Sequence, residues 1–168
     1  MNQDLFIDIF GTSFFYRMDR ILNWSNSNGL QLTNGLTAIG SGGMLGHGFN
    51  HTPIYFPEMQ TDFIFAVFAS NFGFLGTLLL LGLIVFFDLN IISLANKSHN
   101  DNDKLLVGGI IAVLLFQQMQ NIGMTLGLLP IMGITLPFIS YGGSSLLSYM
   151  ILIGMLFNIS NENLRFKN

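Results

Sequence analysis

Two carboxylates, Glu58 and Asp62, lie four residues apart in "PEMQTDF", directly before a long apolar run. On a helix this spacing would place both acids on one face, although Pro57 favours a turn that leads into a helix. Two interpretations are open. Asp62 could stand in the first helical turn, stabilised by the helix dipole, with Thr61 as N-cap and Glu58 in solvent. Alternatively, Asp62 could act as a general base at the edge of the apolar segment.

A second group of candidates occurs in "PFISYGGSSLL", where two glycines and several hydroxyl side chains stand together. Glycine allows a backbone to approach a ligand closely, and hydroxyl groups bind sugar or phosphate oxygens. The candidate residues are Ser140, Tyr141, Gly142, Gly143, Ser144 and Ser145. A loop-to-helix junction capped by serine is the alternative interpretation.

Two further polar groups are interpreted as structural. In "QQMQN", the side chains of Gln117, Gln120 and Asn121 share one helical face, and uncharged amides in an apolar helix usually bond across helices. His47 and His51 in "GHGFNH" have the spacing of a helical metal pair, but the surrounding glycines indicate a loop. We therefore identify no metal-ligating residues.

Composition defines the elements that must position these residues. Hydrophobic residues make up 51% of the chain and charged residues 9%, which is typical of a membrane protein and not of a soluble domain. The net charge of -3 comes without a basic block, so the sequence gives no indication of nucleic-acid binding. The predicted fold class is all-α and integral to the membrane.

Uninterrupted apolar runs predict three transmembrane helices, at about 63–87, 105–128 and 144–160. Pro130, Pro137 and the glycine pair separate the second helix from the third. Residues 1–61 are expected to form the end of an upstream helix followed by a large extracytoplasmic loop region. Residues 62–168 then hold the three spans.

Basic residues predict the orientation of the spans. Lys97 and Lys104 lie in the loop 96–104, and Arg165 and Lys167 lie in the tail after the third span. Three spans place this loop and tail on one side of the membrane, which the positive-inside rule makes cytoplasmic. Asp62 and the loop 130–140 are then expected on the extracytoplasmic side.

Several blocks, taken together, resemble the carboxy-terminal half of the SEDS family (shape, elongation, division and sporulation). They are "AIGSGGMLGHG", "FPEMQTDFIFAV", "GFLG" and "NIGMTLGLLPIMGITLPFISYGGSS", in the family's order and spacing from about Arg17 onward. The resemblance implies a bacterial cytoplasmic-membrane enzyme of about ten spans, here without its amino-terminal helices. Such enzymes polymerise lipid II into peptidoglycan glycan strands in elongation or division, beside a class B penicillin-binding protein.

The resemblance also implies roles for residues. Asp62 matches the family's proposed catalytic aspartate, while Glu58 and the "SYGGSS" residues would contact substrate. Arg17 and Arg20 would offer positive charge to the pyrophosphate leaving group, with a divalent cation as another source of charge. Because three helices form one wall of a cavity, we expect the chain alone to be inactive.

Departures from the family's pattern concern secondary contacts. The family often has His at Gln60, Lys at His47, and a Glu pair at Ser70 and Asn71. The short link between "GHG" and "FPE" is more similar to RodA-type members than to FtsW-type members. The alternative functions are a transporter or flippase of lipid II, and an inactive membrane fragment or scaffold.

Overall fold

The chain folds into long helices joined by short segments. The computed structural model describes residues 30–55, 58–98 and 100–165, except for the side chains of residues 164 and 165. These residues form four α-helices and no strand, which confirms the all-α class. The helices are α1 (Leu30–Ser41), α2 (Ile64–Lys97), α3 (Asp101–Thr125) and α4 (Gly143–Arg165).

Helices α2, α3 and α4 are each long and apolar enough to cross a membrane. Large apolar side chains remain outside the bundle as well as inside it; Leu79 of α2 is 65% exposed and Phe157 of α4 is 67% exposed. A helix that is apolar on all sides suits a lipid environment. The three membrane spans predicted from the sequence are therefore confirmed.

Helix α2 continues to Lys97, beyond Phe87 where the predicted span ends. The first charged residue after Phe87 is Asp88, which is buried between helices. Gln118 of α3 donates a hydrogen bond from Nε2 to Asp88 Oδ1 at 3.2 Å. Because this bond pairs the carboxylate inside the bundle, the charge does not end the helix.

An apolar core holds the three long helices together, and every one of them contributes to it. Its buried members are Ile91, Val107, Ile110, Leu114, Tyr149, Leu156 and Ile159. Residues 98–100 alone separate α2 from α3, so these two helices run antiparallel. The start of α2, the end of α3 and the start of α4 consequently lie at the same end of the bundle, which we call the site end.

Helix α2 is broken at Gly73, whose φ of 65° and ψ of -165° are not helical. The glycine-rich loop 42–48 pairs with the backbone at this break. His47 N–H donates to Ser70 O at 3.0 Å, and Phe74 N–H donates to Gly43 O at 2.9 Å. The loop thus satisfies backbone groups that the break removes from the helix ladder.

Glycine is required where the loop meets the break. A Cβ at Gly46, whose φ is 78°, would collide with the backbone carbonyl of Asn71 and lie 2.6 Å from the nitrogen of Gly73. Both positions also have the left-handed backbone that side chains disfavour. Loop and helix therefore approach each other at a distance that side chains would prevent.

The region predicted as an extracytoplasmic loop contains a short helix. Helix α1 packs on the start of α2, where Ala38, Phe63 and Ala66 form a buried cluster. Gly35 faces the Phe63 ring, which lies 3.0 Å from the place a Cβ would take. Ala38 and Ile39 of "LQLTNGLTAIGS" pack in this cluster, so tertiary packing stabilises a helix despite its polar residues and glycines.

Helix α3 ends before the segment that leads to α4. Gly127 has a φ of 77°. Its N–H donates to Met124 O at 3.1 Å, and Leu128 N–H donates to Gly123 O at 2.8 Å. This left-handed glycine closes the helix and turns the chain toward Pro130 at the site end.

Candidate functional site

Asp62 lies in a turn, residues 58–63, directly before α2. Glu58 has a φ of 61°, and its carbonyl accepts bonds from Thr61 N–H and Phe63 N–H, both at 3.3 Å. Thr61 Oγ1 donates to Glu58 Oε2 at 2.7 Å. Phe63 occupies the N-cap position without a side-chain cap, so the interpretation of Thr61 as N-cap is wrong. The threonine hydroxyl orients Glu58 instead.

Ser140 and Tyr141, in the segment directly before α4, form hydrogen bonds with this turn. Ser140 Oγ donates to Thr61 O at 2.6 Å and accepts from Leu136 N–H at 2.7 Å. Tyr141 N–H donates to Gln60 O at 2.9 Å. The two segments that the sequence singled out for different reasons therefore meet at one place.

Asn121, near the end of α3, forms hydrogen bonds with the Asp62 turn and with the segment that leads to Ser140. Its Nδ2 donates to Asp62 O at 2.8 Å and to Ile134 O at 2.7 Å, and its exposed fraction is 0%. The preceding residue, Gln120, donates from Nε2 to Pro130 O at 3.0 Å. Gln120 and Asn121 thus hold backbone segments at the site end, whereas the sequence predicted bonds across helices; Gln118 makes such a bond, to Asp88 of α2.

Gly133 lies beside the carboxylate of Asp62. It has a φ of 66°, and a Cβ built there would stand 3.2 Å from Asp62 Oδ2. Asp62 itself is half-buried. The absence of a side chain at Gly133 leaves space next to the carboxylate oxygen, so the loop 130–140 forms one wall of its surroundings.

Beyond Ser140 and Tyr141, the "SYGGSS" block leads into and forms the start of α4. Ser145 Oγ donates to Gly142 O at 3.0 Å, which stabilises the first turn of the helix. Ser144 is exposed, and the Tyr141 side chain is 74% exposed. Gly143 has open space where a Cβ would be. The block therefore divides into a joint at Ser140 and an exposed rim.

A cleft of about 580 Å³, with both apolar and polar side chains in its lining, lies next to the turn on the side of Glu58 and Thr61. Its lining includes the amide side chains of Asn50, Gln60 and Asn71. Thr52 Oγ1 donates to Asn71 Oδ1 at 2.9 Å at the boundary of the cleft. Amide and hydroxyl groups of this kind can bind the hydroxyls of a sugar, and a carboxylate at the rim can accept a proton.

Other predicted residues fall elsewhere. Arg17 and Arg20 lie outside the described residues. His47 Nε2 lies 3.2 Å from Ser41 Oγ in the loop that fills the α2 break. Within the residues that the structure describes, no group of three His, Cys, Asp or Glu side chains could hold a metal ion.

The chain is similar in sequence to proteins of one known family. The sequence profile of the FtsW/RodA/SpoVE family, described as "Cell cycle protein", matches residues 6–165. The chain belongs to this family. A "Probable peptidoglycan glycosyltransferase FtsW" of Coxiella burnetii is 42% identical over 159 residues, which cover 88% of this chain and 43% of the relative. The "Peptidoglycan glycosyltransferase RodA" of Treponema pallidum is 35% identical, covering 89% and 37% respectively.

A solved structure agrees with the fold. It is described as "Structural coordination of polymerization and crosslinking by a peptidoglycan synthase complex", and it aligns with a TM-score of 0.74 at 30% identity. The alignment covers 88% of this chain and 42% of that chain. The chain thus spans about two fifths of the length of the relatives it matches. Family membership and apolar helices together make it a multi-pass membrane protein.

Two contributors to the Asp62 surroundings were missed by sequence reasoning about the site. Asn121 was interpreted as a general helix-packing residue, and Gly133 drew no attention. An amide inside an otherwise apolar span is a usable signal for the first, since such an amide must find backbone or side-chain partners. For Gly133, the sequence offers no distinction from other loop glycines.

Proposed function

We propose that this chain forms the carboxy-terminal part of a membrane glycosyltransferase that polymerises lipid II into peptidoglycan glycan strands. The observation that carries the proposal is the joint between the Asp62 turn and the loop 130–141, where Ser140 and Asn121 hold both segments. The relatives named above as peptidoglycan glycosyltransferases support the reaction class. The activity is proposed for a protein of the relatives' length.

Asp62 is the general base in this proposal. Its carboxylate takes the proton from the 4-hydroxyl of the acceptor sugar as that oxygen attacks the anomeric carbon of the donor. The new glycosidic bond forms as the bond to undecaprenyl pyrophosphate breaks, and the pyrophosphate carries away the electron pair. Glu58, Gln60 and the exposed rim at Tyr141 and Ser144 stand where they can contact the sugars.

Charge for the leaving group must come from beyond the described site end. Lys97 and Lys104 lie in or beside the loop at the opposite end of the bundle, and no Lys or Arg occurs between residues 21 and 96. We therefore assign the neutralisation of the pyrophosphate to Arg17, Arg20 and residues of the helices that complete the family fold, with a divalent cation as a further source.

The sidedness and partners of the chain belong to the same proposal. We assign Asp62 to the extracytoplasmic side and the carboxy terminus to the cytoplasm, because Lys97, Lys104 and Arg165 lie at the end opposite the site. A class B penicillin-binding protein is the proposed partner, supported by a structural relative described as a complex of polymerization and crosslinking. Cysteines at Asn100 and Ile131 test the sidedness: only the second should react with an impermeant maleimide in intact cells.

The reaction is tested with Asp62→Asn in a complete family member that carries this half, reconstituted with lipid II. Its penicillin-binding partner should be blocked in its own chemistry. We expect polymer formation to fall at least about 100-fold, because a positioned base contributes about that much. The matched control, Glu162→Gln, changes an exposed carboxylate on α4 far along the chain from the site and should leave the rate unchanged. Near-normal polymer from Asp62→Asn would refute the assignment.

The same reconstitution separates the alternatives. A transporter or flippase would move lipid II across the vesicle membrane without making glycan, even in the unmodified protein. A scaffold would do neither. The 168-residue chain by itself should make no polymer, since its three spans supply one wall of a cavity; polymer made by it and lost with Asp62→Asn would place the whole machinery in this half.

A further inference from the structure

The amide of Asn121 uses both of its hydrogens on backbone carbonyls of two different segments. One carbonyl belongs to Asp62 and lies 2.8 Å from Nδ2, and the other belongs to Ile134 and lies 2.7 Å away. The two segments are far apart in sequence, and neither is part of the helix that carries Asn121. A single side-chain nitrogen therefore fixes the distance between the Asp62 backbone and the loop that walls its carboxylate.

The orientation of this amide is determined by its donors alone. Asn121 Oδ1 is buried and has no hydrogen-bonding partner. An amide turned by 180° would place Oδ1 against two carbonyl oxygens, so the observed orientation is the one that its neighbours permit. A buried acceptor without a partner costs free energy, and the two donations to Asp62 O and Ile134 O offset that cost.

Two neighbours constrain Asp62 from other directions, Ser140 at the preceding backbone carbonyl and Gly133 at the carboxylate. Ser140 Oγ binds Thr61 O, the carbonyl directly before Asp62. Gly133 stands in the loop segment next to Ile134 and leaves the space beside Asp62 Oδ2. The carbonyls on both sides of the Asp62 N–Cα unit are thus held by side chains, and the position of the loop decides how much room the carboxylate has.

We propose that Asn121 is a positioning residue for Asp62, and that its two-pronged donation to Asp62 O and Ile134 O sets the placement of the catalytic carboxylate against the loop 130–140. The inference rests on the proposed role of Asp62 in glycan polymerisation. Asn121 touches no substrate in this arrangement. Its contribution is to hold the base at the place where the acceptor hydroxyl must meet it.

The experiment uses a complete family member that carries this half, reconstituted with lipid II and the blocked penicillin-binding partner. Three variants probe the amide: Asn121→Leu removes the donors, Asn121→Asp removes them at nearly constant volume, and Asn121→Gln keeps them on a longer side chain. Initial rates across lipid II concentrations give kcat and KM separately. Membrane abundance and the unfolding temperature in detergent report folding.

We expect kcat to fall about 100-fold in Asn121→Leu and Asn121→Asp with KM little changed, because a small displacement of a catalytic group can cost that much. Asn121→Gln should recover part of kcat. The matched control is Gln120→Leu, which frees Pro130 O on the same loop but leaves the Asp62 backbone bonded; its kcat should fall less than about tenfold. A raised KM with normal kcat in Asn121→Leu would overturn the proposal, as would an equal loss in the control.

Gly133→Ala tests the same placement without disturbing the buried amide. Its methyl group would press on Asp62 Oδ2, and its φ of 66° would strain the exposed loop at the same point, so kcat should fall while membrane abundance stays normal. If the Asn121 variants fail to accumulate, this variant decides: normal kcat in Gly133→Ala refutes the placement. Failure of the underlying function gives a different pattern, since Asp62→Asn would then polymerise normally whatever Asn121 does.

Discussion

The first part of α2 is held at two joints that use different chemistry. At the site joint, side chains of Asn121 and Ser140 donate to the carbonyls of Asp62 and Thr61, beside one backbone bond from Tyr141 N–H to Gln60 O. At the break joint around Gly73, backbone meets backbone: loop 42–48 exchanges N–H···O=C bonds with residues 70–75, and no side chain stands between them. The site joint depends mainly on side-chain donors, whereas the break joint depends on the absence of side chains.

This difference teaches how each joint responds to change. A substitution at a side-chain joint removes individual hydrogen bonds, each worth about 0.5 to 1.5 kcal/mol, and the backbone around it can stay in place. A backbone joint at contact distance has no room for a methyl group and must open as a whole. We therefore expect substitutions at the break to affect folding, and substitutions at the site joint to affect the placement of Asp62 first.

The largest effect is expected from Gly46→Ala. The added Cβ would collide with the Asn71 carbonyl, at a residue whose φ of 78° already disfavours a side chain. We expect a loss of about 3 kcal/mol or more in the free energy of unfolding, seen as low membrane abundance and a lowered unfolding temperature in detergent. Gly40→Ala is the control, because nothing lies within 4 Å of its Cβ position in α1. Equal stability of the two variants would remove the distinction between the joints.

A smaller effect is expected from Ser140→Ala. The variant loses the bond to Thr61 O and leaves Leu136 N–H without its acceptor. We expect a loss of about 1 to 3 kcal/mol in unfolding free energy, together with reduced polymer formation at normal membrane abundance. Ser148→Ala removes a hydroxyl bonded within the exposed side of α4 and should change neither quantity. Unchanged stability and activity in Ser140→Ala would show that the site joint does not depend on this hydroxyl.

The smallest effect is expected from Gly143→Ala. This glycine begins α4 in open space and without a left-handed backbone, so a methyl group is accommodated. The change in unfolding free energy should stay within about 0.5 kcal/mol, measured by denaturation in detergent. A severe loss of stability would mean that the exposed rim is packed against something in the complete protein. A loss of activity at normal stability would instead indicate that substrate approaches the backbone here.

Much of the framework follows from the sequence. The length and uniform apolar character of three segments predict the spans, because a bilayer requires about 20 apolar residues. The acids before the first span and the glycine–serine block before the last are also recognisable, since polar residues at the mouths of spans stand out. Their meeting at Ser140 and Thr61 depends on helix packing and could not be derived from either segment alone.

Other features depend on tertiary contacts that single-sequence patterns do not contain. The break at Gly73 occurs in "SNFGFLG", which reads as continuous helix until loop 42–48 supplies the missing bonds. The predicted first span ends at Phe87, but α2 continues through Asp88 because Gln118 of α3 donates a hydrogen bond to its carboxylate. Helix α1 forms in a polar stretch because its Ala38 and Ile39 pack against Phe63 and Ala66.

The central claim is that the Asp62 turn and the "SYGGSS" loop form one site, and paired cysteines test it most directly. Gln60→Cys and Tyr141→Cys replace residues with exposed side chains. Tyr141 N and Gln60 O lie 2.9 Å apart, which keeps the two Cα atoms within the roughly 7 Å that a disulfide can bridge. The chain has no cysteine of its own to compete. In a complete family member in membranes, we predict that mild oxidation forms this disulfide and that reductant reverses it. Absence of the disulfide, while each single cysteine reacts with maleimide, would contradict the claim.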